Sequence, residues 1–297
     1  MSNLEELSLQ HVRQLERERD SKVLVLAASM LEVDFLPQLY ELLLEDFENS
    51  SRLDVVLYGR GGEINAARRI ALLLHQFTDH LSFLVPYHCQ SSYTVLTLAG
   101  HEVIAGDLAT FSPIDPRLNT VDATEGTDVL DSENVRQFMD LCKRWFDLDI
   151  RQEEIRMQLL ASVASSIFPT TLTALYRSTL ELQSIANELL AFQLPDQSAS
   201  HRSDIVNQLL FGYHSHSYAI TRDDLLHIGL NVKREAPVEA KAWQIAKELN
   251  AVMGGGVRQT PQDARNDVLL ASSRKAHVRQ RHIDVISPTW LEIDLPS

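Results

Sequence analysis

The chain has 297 residues, of which 44% are hydrophobic and 23% charged, a composition typical of a globular protein with a sizeable core. Its formal net charge is −14, which argues against general nucleic-acid binding because that function needs a basic face. Two cysteines are too few for a disulfide framework and favour a reducing compartment.

The first twenty residues are predicted to form a charged helix. Leucine and valine recur there at helical spacing, and no apolar stretch that would serve as a signal peptide interrupts the charges. Elsewhere, no apolar run is long enough to cross a bilayer. Together with the cysteine count, these features predict a soluble, cytoplasmic protein without a membrane span.

Strands and helices are predicted to alternate over the next part of the chain. Apolar runs at 21–29, 52–59 and 81–87 are typical of buried strands, and helical patterns fill 33–47 and 63–80 between them. A further helix follows the third strand. Such alternation with short connections predicts an α/β fold with a mostly parallel sheet.

The second half of the chain is predicted to be largely helical. Short strand-like pieces at 101–106 and 108–112 come first, followed by an acidic loop at 119–134. After residue 253 the periodicity is weak, and the basic run "SSRKAHVRQRH" is interpreted as part of a solvated tail. Helical patterns occupy 132–148, 149–192, 202–212, 222–228 and 236–252.

Two turns rich in glycine or serine follow predicted strands. Gly61 and Gly62 enter a helix through a tight turn, whose N–H groups form either an oxyanion hole or an ordinary helix entry. Cys89, Ser91 and Ser92 occupy the next strand-to-helix junction, where a serine serves either as a helix cap or as a nucleophile. Because ligands bind beyond the carboxyl ends of parallel strands, both turns are predicted to face one site.

Three stretches resemble a known family. "DVVLYGRGGEINAARRIA" resembles the strand–turn–helix of ClpP-like serine peptidases. "VPYHCQSSYTVLTLAGHEVIAGDLATFSPIDPRL" is similar to a segment of the serine dehydrogenase proteinase family, relatives of signal peptide peptidase A. "YHSHSYAITRDDLLHIGLNV" is similar to the C-terminal segment of that family. The resemblance runs from about residue 20 to 235.

The resemblance implies a fold, an activity and an assembly. The fold is a ClpP/crotonase-like superhelical βαβ core with a helical C-terminal part, and it divides the chain into an N-terminal helix at 1–20, a core domain at 21–235 and a helix and tail at 236–297. The activity is that of a serine endopeptidase that forms an acyl-enzyme on protein or peptide substrates, and the assembly is a homo-oligomer. The chain contains no nucleotide-binding motif, so ATP-independent action without a cofactor is expected.

Carried over to this sequence, the resemblance makes Ser91 the nucleophile. The amides of Gly62 and Ser92, with Gly61 in the same turn, then form the oxyanion hole. The sequence offers three candidates for the base: Lys143, Asp115 and His216. His214 and His216 also suggest two ligands of a metal ion. Because the sequence near them offers no third ligand, no metal site is predicted.

Tyr93 departs from the resembled pattern, which has a small residue after the serine. Its ring is expected either to line a substrate pocket or to block one. A catalytically degenerate scaffold or binding protein that keeps the fold and the oligomer is therefore the alternative function. A third alternative is another crotonase-type reaction on an acyl thioester, which the same oxyanion hole would serve.

Overall fold

An eight-stranded sheet forms the centre of the molecule. The structure of the chain, a computed structural model, describes residues 7–48, 50–122, 126–254, 265–281 and 289–295, with the backbone alone for 117–122, 126–131 and 254. Buried clusters lie on both sides of the sheet. The α/β class predicted from the sequence is therefore confirmed.

The strands fall into a parallel part and an antiparallel part. Their bounds are β1 Lys22–Ala28, β2 Ser50–Gly59, β3 Thr78–Val85, β4 Glu102–Ala105, β5 Arg117–Asp122, β6 Gly126–Asp131, β7 Val232–Lys233, β8 Arg265–Ala271, β9 Lys275–Arg281 and β10 Thr289–Asp294. The sheet order is β10-β9-β8-β1-β2-β3-β4-β7, in which β1 to β4 and β7 are parallel and β8 to β10 are antiparallel. The strands β5 and β6 form a separate hairpin that overlaps most of the predicted acidic loop.

Helices cover the two faces of the sheet. Their bounds are α1 Gln10–Arg19, α2 Leu36–Asp46, α3 Ile64–Leu74, α4 Ser92–Thr97, α5 Ser132–Trp145, α6 Glu153–Ser166, α7 Pro169–Gln193, α8 Ala199–Phe211, α9 Arg222–His227 and α10 Ala236–Leu249. Two of them, α1 and α10, pack on one face, and α2, α3, α4, α7, α8 and α9 pack on the other. After the exposed Lys22, the strand β1 is apolar because its alternate residues face these two cores.

Two expectations for the parallel part of the fold are wrong. The helix expected to reach residue 80 ends at Leu74, because Thr78 and His80 already pair with β2. The expected strand at 108–112 forms only isolated bridges, in which Thr110 pairs with His88 and Phe111 with Ile220. Backbone pairing across the sheet determines both outcomes, and neither is visible in local periodicity.

The strands β8, β9 and β10 extend the sheet. The strand β8 pairs antiparallel with the edge of β1, and β9 and β10 continue from it, so the C-terminal part is not only helical. The basic run lies largely in β9, where Arg279 is only 1% exposed. Its guanidinium donates to Asp267, Asp34 and Glu32, which compensates for the loss of water.

A second ion-pair cluster lies at the amino end of the parallel strands. Glu102 accepts hydrogen bonds from Lys233 at 2.6 Å, from Ser82 and Arg19 at 3.0 Å each, and from Arg52. Burial alone would raise the pKa of Glu102, but the bonds from Lys233 and Ser82 and the nearby positive charges lower it to about 2. This carboxylate is therefore held in its ionised form.

No single helix within the described ranges is long and apolar enough to cross a membrane. By length and composition alone, α6 and α7 together would suffice, but they are bent by 99° at their junction.

Candidate active site

A cleft of about 420 Å³ opens at the carboxyl ends of β1, β2 and β3. Most of the residues singled out from the sequence line this cleft, whereas Lys143 and Tyr93 do not. The two predicted turns therefore face one site. The sequence-predicted residues on its wall are Gly61, Gly62, Ser91, Ser92, Asp115 and His216.

Ser91 has an unusual backbone conformation. Its φ of 53° and ψ of −118° lie in a region that residues with a side chain rarely adopt. The N–H of Ser91 donates to Ser112 Oγ at 2.8 Å, which helps to hold this bend at the start of α4. A methyl group added at Gly61 would lie 3.8 Å from Ser91 Oγ, so the glycine leaves the hydroxyl accessible. The serine is thus held on a sharp turn.

The turn that contains Gly62 packs tightly against the residues after β1. The N–H of Leu31 donates to Gly61 O at 2.8 Å, and the N–H of Glu63 donates to Leu31 O at 2.7 Å. A Cβ at Gly62, whose φ is 142°, would lie 2.2 Å from Leu31 N, so only glycine fits. In this parallel bridge Leu31 bonds to the carbonyl of Gly61 and to the N–H of Glu63, the residues on either side of Gly62. The N–H of Gly62 itself therefore points away from Leu31.

Ser92 supplies a second amide at the cleft. It is the first residue of α4, so its N–H has no acceptor within the helix. The N–H groups of Gly62 and Ser92 therefore both belong to residues that line the cleft. Two such donors are the elements from which an oxyanion hole is built.

Asp115 and His216 form a hydrogen-bonded pair. His216 Nδ1 lies 2.9 Å from Asp115 Oδ1, and their side chains are 16% and 4% exposed. A neutral imidazole that donates from Nδ1 to a carboxylate has Nε2 as its acceptor. From the sequence, these two residues are alternative bases. In the structure they are hydrogen-bonded to each other.

The other candidate base and the second histidine lie elsewhere. Lys143 is exposed on α5 and does not line the cleft. His214 is exposed, and its Nδ1 lies 3.2 Å from Gln137 Nε2. In the part of the chain that the structure describes, no three histidine, cysteine or acidic residues are grouped as metal ligands.

Tyr93 is buried in the core, away from the surface of the cleft. Its hydroxyl donates to Ala28 O at 3.1 Å, and its ring occupies the space beside Gly59, where a Cβ would approach the ring to 2.2 Å. The absence of a side chain at Gly59 therefore accommodates the large ring after the serine. The ring neither lines nor blocks the described cleft.

Cys89 is an unsuitable nucleophile. Its side chain is fully buried, and burial raises the pKa of the thiol well above its ordinary value. The reactive form of cysteine is the thiolate, which this environment disfavours. Ser91 remains the nucleophile candidate at this junction that combines access to the cleft with a strained turn.

Sequence reasoning missed two hydroxyls that support the bend. Ser112 Oγ accepts from Ser91 N and donates to Pro113 O at 3.1 Å. Thr94 Oγ1 donates to Cys89 O at 2.8 Å and accepts from Ser112 N at 3.3 Å. Ser112 lies three residues before Asp115 in the stretch that resembles the family, but its contact with Ser91 depends on the approach of two separate loops and has no local signal.

The chain is similar to two uncharacterized proteins and to a solved protease structure. No protein-family model matches the chain. Two uncharacterized proteins of Methanocaldococcus jannaschii are each 21% identical to it; one alignment covers 77% of this chain and 72% of the relative, the other 78% and 75%. A solved structure of a membrane-bound stomatin-specific protease shares 13% identity over 73% of this chain and 77% of its own, with a TM-score of 0.41. The substrate, the oligomer and the cytoplasmic location stay predictions.

Proposed function

We propose that this protein is a serine hydrolase that cleaves peptides through an acyl-enzyme on Ser91. The observation that carries the proposal is the hydrogen bond between Asp115 and His216 on the wall of the cleft that contains Ser91. A serine hydroxyl is a poor nucleophile without a base, and a carboxylate-oriented imidazole is the base that such serines use most widely. This pairing favours His216 over Lys143 as the base.

The pair defines the proton transfers of the proposed reaction. Ser91 Oγ attacks the substrate carbonyl carbon while its proton moves to His216 Nε2. The negative oxygen of the tetrahedral intermediate accepts hydrogen bonds from the N–H groups of Gly62 and Ser92. The intermediate collapses, the amine leaves with the proton of His216, and an ester remains on Ser91. Water then attacks this ester with His216 as base, which releases the acid and restores Ser91.

Asp115 has an orienting role in this reaction. Its hydrogen bond fixes the tautomer in which Nδ1 carries the proton and Nε2 accepts. The nearby charge also stabilises the imidazolium that forms during attack. The strained turn at Ser91 contributes preorganisation, since the hydroxyl need not leave a regular helix or strand to reach a substrate.

A fluorophosphonate probe tests the nucleophile. We expect labelling of the native protein and none of Ser91→Ala, with mass spectrometry placing the adduct on Ser91. Ser178→Ala is the matched control, because Ser178 also lines the cleft but lies on α7, away from the strained turn. Absence of labelling in folded native protein would contradict the proposal and favour a scaffold without catalysis.

A second set of variants tests the base. We expect His216→Gln to slow labelling on the order of 10³-fold or more. Lys143→Gln is expected to keep the native rate, because its side chain is exposed on α5. The reverse pattern, with loss at Lys143 and none at His216, would assign the base to the lysine and refute the assignment made here.

A further inference from the structure

The hydroxyl of Ser92 differs from the other hydroxyls of α4. Ser92 is 3% exposed, yet its Oγ has no hydrogen-bond partner among the residues that the structure describes. The remaining hydroxyls of the helix are paired: Tyr93 with Ala28 O, Thr94 with Cys89 O and Thr97 with Thr94 O.

An unpaired buried hydroxyl is unfavourable for the fold. Its desolvation without a compensating bond destabilises the folded state. Alanine at this position would remove that cost. Packing therefore gives no reason for a hydroxyl here, which points to a ligand as its partner.

The location of Ser92 identifies that ligand. The residue lines the cleft beside Ser91 and Gly62, and its own N–H is one of the two proposed oxyanion donors. The Ser92 Oγ is itself buried in the structure. Rotation about the Cα–Cβ bond of a serine brings its Oγ close to its own N, so the hydroxyl can turn towards an atom bound at that N–H. A tetrahedral oxyanion carries three lone pairs, and the amides of Gly62 and Ser92 use two of them.

We propose that the Ser92 hydroxyl is a third donor to the oxyanion, which makes Ser92 a catalytic residue through its side chain as well as its backbone. This inference rests on the proposed function. It identifies the preferred ligand as an acyl group whose carbonyl oxygen becomes negatively charged in the transition state. The hydroxyl keeps its own proton throughout, so the step adds one hydrogen bond and no covalent change. Because the bond strengthens as charge develops, it acts on kcat more than on KM.

Hydrolysis of p-nitrophenyl butyrate by the full chain tests the inference. For Ser92→Ala we expect kcat to fall on the order of 10²-fold with KM nearly unchanged, the size observed when one oxyanion donor is removed. The melting temperature is expected to stay equal or rise, because an unpaired buried hydroxyl is lost. Ser92→Cys, of similar size and with a weaker donor, is expected to give an intermediate kcat.

Thr97→Val is the matched control, because Thr97 has a buried, paired hydroxyl on the same helix and does not line the cleft. It is expected to lower the melting temperature and leave kcat unchanged. An unchanged kcat in Ser92→Ala, a change in KM alone, or a kcat loss accompanied by a fall in melting temperature like that of Thr97→Val would overturn the inference.

Fluorophosphonate labelling separates the two proposals. If the native protein is not labelled at Ser91, the proposed function fails, and the third donor fails with it. If the native protein is labelled and Ser92→Ala hydrolyses the ester at the native rate, only the third donor is refuted.

Discussion

The two ends of the parallel strands contrast in how their polar groups are satisfied. At the amino end, the Glu102 carboxylate receives bonds from Lys233, Arg19 and other donors, and burial is compensated by charge. At the carboxyl end, Ser91 has positive φ and the Ser92 hydroxyl has no partner among the described residues. One sheet therefore has an end with a saturated carboxylate, Glu102, called the saturated end below, and a strained end.

This difference separates a region that stabilises the fold from the region in which we propose activity. The Glu102 carboxylate has little capacity to bind anything further, because four donors already bond to its two oxygens. A strained turn with exposed backbone amides persists only when the surrounding structure enforces it, and such sites are concentrated where ligands bind. The carboxyl end is accordingly the place to test activity, and the amino end the place to test stability.

The largest effect is expected from Asp115→Asn at the strained end. The amide group of asparagine donates to Nδ1 in place of accepting from it, so the proton moves to Nε2 and the imidazole no longer accepts the serine proton. We expect fluorophosphonate labelling to slow by about 10³- to 10⁴-fold. Glu181→Gln, another carboxylate of the cleft whose described partner is Asn65, is the control and should label normally. Labelling of Asp115→Asn within a few-fold of native would refute the pairing as functional.

A smaller effect is expected from Glu102→Gln at the saturated end, where the readout is stability. The pKa of Glu102 is lowered from 4.5 to about 2 in the folded chain, so the folded state favours the ionised form. The stabilisation that the ionised Glu102 gives the fold is fully present above the pKa of the unfolded chain, 4.5, and is lost as the pH falls from there towards 2. A shift of this size corresponds to roughly 3 kcal/mol.

Urea unfolding at pH 6 and pH 3 measures this contribution. We expect Glu102→Gln to have a clearly lower free energy of unfolding than native protein at pH 6. The difference should become smaller at pH 3, because protonation of Glu102 removes its stabilising contribution in native protein. Glu45→Gln is the control, since Glu45 is an exposed carboxylate paired with Lys275, and its replacement should change stability far less. If the difference in unfolding free energy is the same at both pH values, stabilisation of the fold by an ionised Glu102 is refuted.

The sequence predicts the parallel half of the fold well, for a physical reason. Strands such as β1 and β2 are buried on both faces, so burial appears as an uninterrupted apolar run. The strand β9 lacks this signal because Arg279 is buried by ion pairs with Asp267 and Glu32. A buried arginine and a solvated one look alike in a sequence.

The candidate site is predictable in its parts but not in its assembly. The glycine turn and the serine junction are local patterns that follow apolar strands, and both line the cleft. The pairing of Asp115 with His216 joins positions 101 residues apart, and nothing local to either residue indicates it. The same holds for Ser112, whose contact with Ser91 N exists only once two loops meet.

Tyr93→Phe is expected to have the smallest effect and tests how the strained end is separated from the core beneath it. The substitution removes the hydrogen bond to Ala28 O and keeps the ring that fills the space beside Gly59. We expect a loss of about 1 kcal/mol of unfolding free energy, the usual contribution of one neutral hydrogen bond, and an unchanged rate of Ser91 labelling. Thr97→Val, another hydroxyl of α4 bonded within the core, is the matched control and should behave in the same way. A labelling rate that falls in Tyr93→Phe but not in Thr97→Val would mean that the tyrosine hydroxyl acts on the cleft, and that the core beneath Ser91 belongs to the site.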